Sequence, residues 1–119
     1  MFSILVIDDE KMILKVIELA LTTVGHKVEI AGDGKEGITK FDAGIFDLVI
    51  TDLIMPKIDG SGVVRHIRNS NRKWTPIIGL SGTPWLLENI DVDSVLTKPF
   101  PIKTLLNEIT DLASISATT

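Results

Sequence analysis

The sequence predicts an α/β domain of (βα)5 type, a five-stranded doubly wound parallel sheet covered by helices. Three observations carry this. Ile4-Leu5-Val6-Ile7, Leu48-Val49-Ile50-Thr51, Ile77-Ile78-Gly79-Leu80 and Val95-Leu96-Thr97 are short apolar runs without the alternation of half-solvated strands. Such runs read as strands buried on both faces, the habit of parallel sheets. Strand-like and helix-like segments alternate along the chain, as right-handed crossovers require. Finally, each run ends in polar residues, respectively Asp8-Asp9, Asp52, Ser81 and Lys98-Pro99. Ligands of open parallel sheets bind outside the carboxyl ends of the strands, so these endings share one edge.

Taken in order, the first strand begins by Ser3 and runs into Asp8. Residues 10–24 have helical spacing, and Gly25 is a fitting C-terminal stop. A strand over 27–31 precedes a helix over 35–43. The strand ending at Asp52 leads through Met55-Pro56-Lys57-Ile58-Asp59-Gly60 into a helix over 62–69. Trp74-Thr75-Pro76 starts the strand ending at Ser81, and Asp91-Val92-Asp93 starts the next. Only sixteen residues separate Ser81 from Lys98, room for at most a shortened fourth helix over 83–90. The last helix is expected over 102–113, leaving 114–119 as a frayed tail or linker stub. Residues 1–119 therefore read as a single domain.

Composition narrows the function. An apolar fraction of 45% argues for a packed globule. A net charge of −4 gives no general attraction for nucleic acid or anionic lipid. With no cysteine, disulfides, thiolate catalysis and cysteine metal sites are excluded. No stretch is long and apolar enough to span a membrane, and an early strand leaves no room for a signal peptide. A cytosolic location is expected.

The gathered residues suggest their own chemistry. Asp8, Asp9 and Asp52 would lie close together, and two unit charges ~4 Å apart repel by about 4 kcal/mol at an effective dielectric of about 20. A hard cation relieves that repulsion, and Mg²⁺ suits a few carboxylates, several waters and a phosphate. Lys98 would neutralise a bound phosphoryl group from the other side, and the Ser81 hydroxyl can bond one of its oxygens. One carboxylate can then act as nucleophile and form an acyl phosphate. Asp52 is the candidate, because it stands alone at the centre of the sheet while Asp8 and Asp9 form a pair suited to metal. Asp9 could instead cap the first helix, Asp52 and Ser81 could cap turns, and Lys98 could be a solvated end. Such separate explanations do not account for all of them ending strands together.

The set Val6-Ile7-Asp8-Asp9-Glu10, Asp47-Leu48-Val49-Ile50-Thr51-Asp52-Leu53-Ile54-Met55-Pro56, Asp59-Gly60, Leu80-Ser81-Gly82 and Leu96-Thr97-Lys98-Pro99-Phe100 resembles the receiver domain of two-component response regulators over essentially the whole chain. The resemblance implies the flavodoxin-like receiver fold. It implies that Asp52 accepts a phosphoryl group from a phosphohistidine on a histidine kinase or histidine phosphotransfer protein, switching a surface read by a downstream effector. The domain would catalyse only its own phosphorylation and dephosphorylation. Asp9, Asp52 and the backbone carbonyl of Ile54 would bind Mg²⁺, with Asp8 acting through water, and Ser81 and Lys98 would bind the phosphoryl oxygens. The resemblance also implies a cis peptide before Pro99. A degenerate receiver, acting as a phosphorylation-independent interaction module, is the alternative.

Two departures from the family pattern stand out. Val95 occupies the place of the usual switch aromatic, and the Ser81–Lys98 segment is short. A haloacid-dehalogenase-type phosphatase would want a second Asp two residues after its nucleophile, where Ile54 follows Asp52 and Glu10 follows Asp8. A flavodoxin-like electron carrier would want a Ser/Thr/Gly-rich loop where Asp8-Asp9 stands. His26 and His66 read as surface or packing residues, Trp74 and Trp85 as packing residues rather than a stacking platform, and Arg65, Arg68, Arg72 and Lys73 as a solvated stripe. On the first helix, Lys11, Lys15, Glu18 and Thr22 form one narrow polar stripe amid apolar residues. That apolar arc is wider than one sheet contact needs. It suits either extra packing or a docking surface for the helical bundle of a phosphodonor.

Overall fold

The computed structural model describes residues 1–55, 60–83 and 90–118, with the side chains of Gly60 and of 114–118 left aside. Five strands, β1 (Ser3–Ile7), β2 (Lys27–Ala31), β3 (Leu48–Asp52), β4 (Ile77–Ser81) and β5 (Ser94–Thr97), form one parallel sheet in the order β2-β1-β3-β4-β5. Four helices are seen among the described residues: α1 (Lys11–Thr23), α2 (Gly34–Ala43), α3 (Gly60–Arg68) and α4 (Ile102–Thr118). The expected short helix over 83–90 falls largely on residues 84–89, and with Trp85 and the turn at 56–59 it lies outside the described residues.

The unpatterned apolar runs are explained by two cores, one on each face. Ile4, Val6, Leu48, Ile50, Ile78 and Leu80 meet Leu14, Ile17 and Leu21 of α1 and Leu105 and Ile109 of α4. Leu5, Ile7, Val49 and Ile77 point the other way, toward Phe41 of α2 and Val63, Val64 and Ile67 of α3. Successive side chains of a strand alternate between faces, so both sets must be apolar. Gly79 belongs to this packing, since a Cβ there would come within 2.6 Å of Leu53 Cδ1. Its bare backbone admits Leu53, the residue directly after Asp52.

Local signals set the helix ends. Gly25 adopts a φ of 95°, its N–H bonds the Thr22 carbonyl, and the His26 N–H bonds that of Leu21. These paired bonds end α1 as a left-handed C-terminal cap does. Asp33 caps α2, its carboxylate accepting from the Glu36 N–H at 2.7 Å. Boundaries differ from expectation at β4, at β5 and at the last helix. Pro76 lacks the N–H that a ladder needs, and β4 begins only at Ile77. β5 begins at Ser94 because Asp93 spends its carboxylate on the Ile77 N–H, at 2.7 Å. As the sheet edge, β5 buries only Leu96 and leaves Val95 40% exposed. The last helix continues past Ala113 to Thr118, where a frayed tail was expected.

The basic stripe is a solvated face only in part: Arg65 and Lys73 are exposed, whereas Arg68 and Arg72 are partly buried. Arg68 donates to the carbonyls of Lys73, Thr75 and Asp91 and pairs with the Asp93 carboxylate at 2.9 Å. Arg72 lies over the Phe41 ring, 4.6 Å from its centroid, and donates to the Phe41 and Gly44 carbonyls at the end of α2. Only the donor-rich, planar guanidinium can serve so many carbonyls at once. Trp74, expected to pack, is instead 78% exposed beneath Lys73. The histidines are structural: His26 accepts from the Phe2 N–H, and His66 pairs with Asp42 across α2 and α3.

Candidate functional site

Strand register delivers the polar endings to one edge. Asp8 follows β1, its backbone N–H held by the Ala31 carbonyl at 3.1 Å. Asp52 ends β3 opposite Leu80, and Ser81 ends β4 opposite Thr97. The Lys98 N–H continues the ladder to the Ser81 carbonyl at 2.8 Å, and the Lys98–Pro99 peptide is cis. Leu53 is tied to the Leu80 carbonyl at 3.0 Å.

Four carboxylates, those of Asp8, Asp9, Glu10 and Asp52, offer oxygens lying within 4.8 Å of one another. Lys98 Nζ reaches Asp8 Oδ2 at 2.9 Å, Asp52 Oδ2 at 3.2 Å and Glu10 Oε1 at 3.4 Å. An ammonium has three N–H donors, so the three contacts use them all. Asp8 is fully buried and Asp52 nearly so. Burial pushes the Asp52 carboxyl above its ordinary pKa, against the Ile54 N–H and the Lys98 ammonium, which lower it. For Lys98 burial works against the charged form, but the Asp8 and Asp52 carboxylates outweigh it and the pKa is raised.

Each expected residue reaches this edge in its own setting. Asp9 is exposed and does not cap α1, whose N-cap position is Glu10 and which has no side-chain cap. Asp52 Oδ1 accepts from the Ile54 N–H at 3.1 Å, closing a turn beyond β3. Ile54 itself is half exposed. Ser81 is buried, its Oγ accepting from the Thr83 N–H at 3.0 Å. That bond leaves the Ser81 O–H as a donor. Glu10 was not among the expected site residues. Its place directly after Asp9 was the available signal, but only the fold turns its carboxylate toward Lys98.

The chemistry of this edge suits a hard divalent cation, since four clustered carboxylates carry more negative charge than one ammonium offsets. It also presents an ammonium and a hydroxyl beside a single buried carboxylate, the equipment for holding a phosphoryl group. Beside it lies a groove of about 450 Å³ whose lining includes Glu10, Met12, Val16, Lys98, Phe100 and Ile102. On α1, Met12 is 79% and Leu19 69% exposed, so the wide apolar arc is not consumed by internal packing.

A family model described as the response regulator receiver domain matches residues 4–110. The transcriptional regulatory protein TcrA of Mycobacterium tuberculosis is 33% identical over 115 residues, covering 92% of this chain and 45% of that protein. The response regulator ArlR of Staphylococcus epidermidis is 35% identical over 114 residues, covering 92% of this chain and 51% of ArlR. The chain thus spans about half the length of these curated relatives. Among solved structures, the response regulator TrrA of Thermotoga maritima, in complex with Mg(2+)-BeF, superposes with a TM-score of 0.85 at 33% identity, covering 94% of this chain and 99% of that one. A response regulator receiver domain protein of Clostridium thermocellum gives a TM-score of 0.89 at 30% identity, covering 99% and 98%.

Proposed function

The chain belongs to the response regulator receiver domain family, and from that premise we propose that Asp52 is its phosphoacceptor. The observation that carries this is the Lys98 ammonium, bonded at once to Asp8 and Asp52 at the carboxyl edge of the sheet. Residues 1–119 act as one receiver of a two-component system, taking its phosphoryl group from a phosphohistidine on a histidine kinase or phosphotransfer protein. The degenerate-receiver alternative is not favoured, since the carboxylate, hydroxyl and ammonium set is intact.

In the transfer, an Asp52 carboxylate oxygen attacks phosphorus and the P–N bond to the imidazole breaks. The bonding electron pair leaves with the imidazole nitrogen. Burial of Asp52 raises its basicity and with it its nucleophilicity. Lys98 offsets charge on the phosphoryl oxygens, and the Ser81 O–H donates to one of them. Asp9, Asp52 and the Ile54 carbonyl, with Asp8 through water, would hold Mg²⁺. That cation, when bound, spreads the negative charge of the transferring group. No separate substrate is turned over; the domain promotes only its own phosphorylation and dephosphorylation.

The exposed arc of α1 and the groove beside it receive the phosphodonor, in the manner of an amphipathic helix laid in an apolar groove. Among the described residues no helix is long and apolar enough to cross a membrane, and we place the domain in the cytoplasm with its donor. Phosphorylation then biases a surface between two states for a downstream effector. With Val95 in place of an aromatic, that surface must respond by a route other than a swinging ring. Intact-mass spectrometry after incubation with acetyl phosphate tests the reading. A Mg²⁺-dependent gain of one phosphoryl group, absent in Asp52→Asn, is the expected result. No adduct in the wild type would overturn it.

A further inference from the structure

We propose that Glu10 is a positioning residue that keeps Lys98 beside the reacting centre when the aspartates bind the metal. The inference rests on the receiver reading and extends it to a residue outside the set named above. Glu10 occupies the N-cap position of α1, yet its side chain caps nothing. The carboxylate turns instead to Lys98, at 3.4 Å. Its backbone is fixed on both sides, the N–H by Asp8 Oδ1 at 2.9 Å and the carbonyl by the Leu14 N–H at 3.1 Å.

The three carboxylates around Lys98 are not equivalent. All three belong to the cluster that suits a cation, but Asp8 and Asp52 are buried within it and hold Lys98 through their Oδ2 oxygens. A divalent cation competes with the ammonium for those two partners and carries twice its charge. Glu10 stands at the rim, its side chain 60% exposed. It is the contact Lys98 can retain once both aspartates turn to the metal. An untethered lysine side chain spreads over many rotamers, so a retained partner keeps the ammonium near the incoming phosphoryl group.

The full chain as wild type, Glu10→Ala and Glu10→Gln tests this in three readouts. Mg²⁺ affinity is measured by calorimetry, acetyl phosphate labelling at saturating Mg²⁺ by intact mass, and the Lys98 ammonium by ¹⁵N NMR of the Mg²⁺-loaded protein. In Glu10→Ala we expect labelling slowed about threefold to fivefold, the scale of one partly exposed charge pair, with Mg²⁺ affinity changed less than the rate. The Lys98 ammonium signal should lose its protection from exchange in Glu10→Ala. Both effects should be partly restored in Glu10→Gln, which keeps an acceptor oxygen. Unchanged or faster labelling in Glu10→Ala overturns the proposal. A loss of Mg²⁺ affinity with a normal rate at saturation also overturns it, making Glu10 a metal ligand instead. Should wild type take no phosphoryl group, the receiver reading fails, and the NMR comparison still decides whether Glu10 tethers Lys98.

Discussion

Lys98 is a single positive charge among four carboxylates, so the resting site carries unrelieved repulsion. Removing one carboxylate should relieve it, because Lys98 keeps Asp8 and Glu10 as partners. In a chelator, Asp52→Asn should therefore be more stable than wild type by about 1 kcal/mol or more, read from urea midpoints. Added Mg²⁺ should stabilise wild type progressively and the variant less, since binding to the folded form alone shifts the midpoint. The sign of the pH dependence follows from the raised pKa of Asp52. Between the ordinary carboxylate value and the raised one, the folded state keeps a proton that the unfolded chain has released. Asp52 therefore lowers stability as pH rises through that window. Comparing urea midpoints across acidic pH without divalent cations should show that decline in wild type and its reduction in Asp52→Asn.

Arg68 links three elements, fastening the end of α3 to the turn before β4 and to the start of β5. It was read from sequence as part of a solvated stripe, because helical spacing of arginines carries no sign of which carbonyls they will meet. Arg68→Ala should cost about 2 kcal/mol, leaving the Lys73, Thr75 and Asp91 carbonyls without their donor and the Asp93 carboxylate with only the Ile77 N–H among the described residues. Arg68→Lys should recover only part, since an ammonium cannot span the same partners. The helix α1 makes the opposite case. Its polar stripe was visible in the sequence, but whether the remaining apolar residues met neighbours or solvent depended on how α4 lay against the sheet. Leu19→Asp, on the exposed arc, should change stability by no more than about 0.5 kcal/mol and leave acetyl phosphate labelling intact. It should weaken transfer from a protein phosphodonor, measured as the rate of phosphoryl loss from the donor.

At the scale of the whole molecule, the strand endings were legible because burial on both faces forces apolar runs, and the parallel order forces their ends to one edge. Asp8, Asp9, Asp52, Ser81 and Lys98 were located by that reasoning alone. Glu10 was not, since it ends no strand: it stands at the N-cap position of α1, where the sequence does not say which way its carboxylate turns. The edge strand β5 was harder than the central strands, because one strand neighbour and little cover leave fewer positions under apolar constraint. The same architecture would let the proposed phosphoacceptor act on more than its own surroundings. Asp52 ends the central strand, Ser81 and Lys98 end or follow its neighbours on one side, and β5 and α4 lie just beyond. If Asp52 is the phosphoacceptor proposed above, movement of Ser81 and Lys98 toward its phosphoryl group would reach the sheet edge through the β3-β4-β5 backbone pairing. The central claim is that the phosphoryl group is carried by Asp52 itself. The most direct measurement is borohydride reduction of the Mg²⁺- and acetyl phosphate-treated protein, followed by peptide mapping. Reduction of the acyl phosphate should convert residue 52 to homoserine, whereas conversion at Asp8 or Asp9, or none anywhere, would contradict the account.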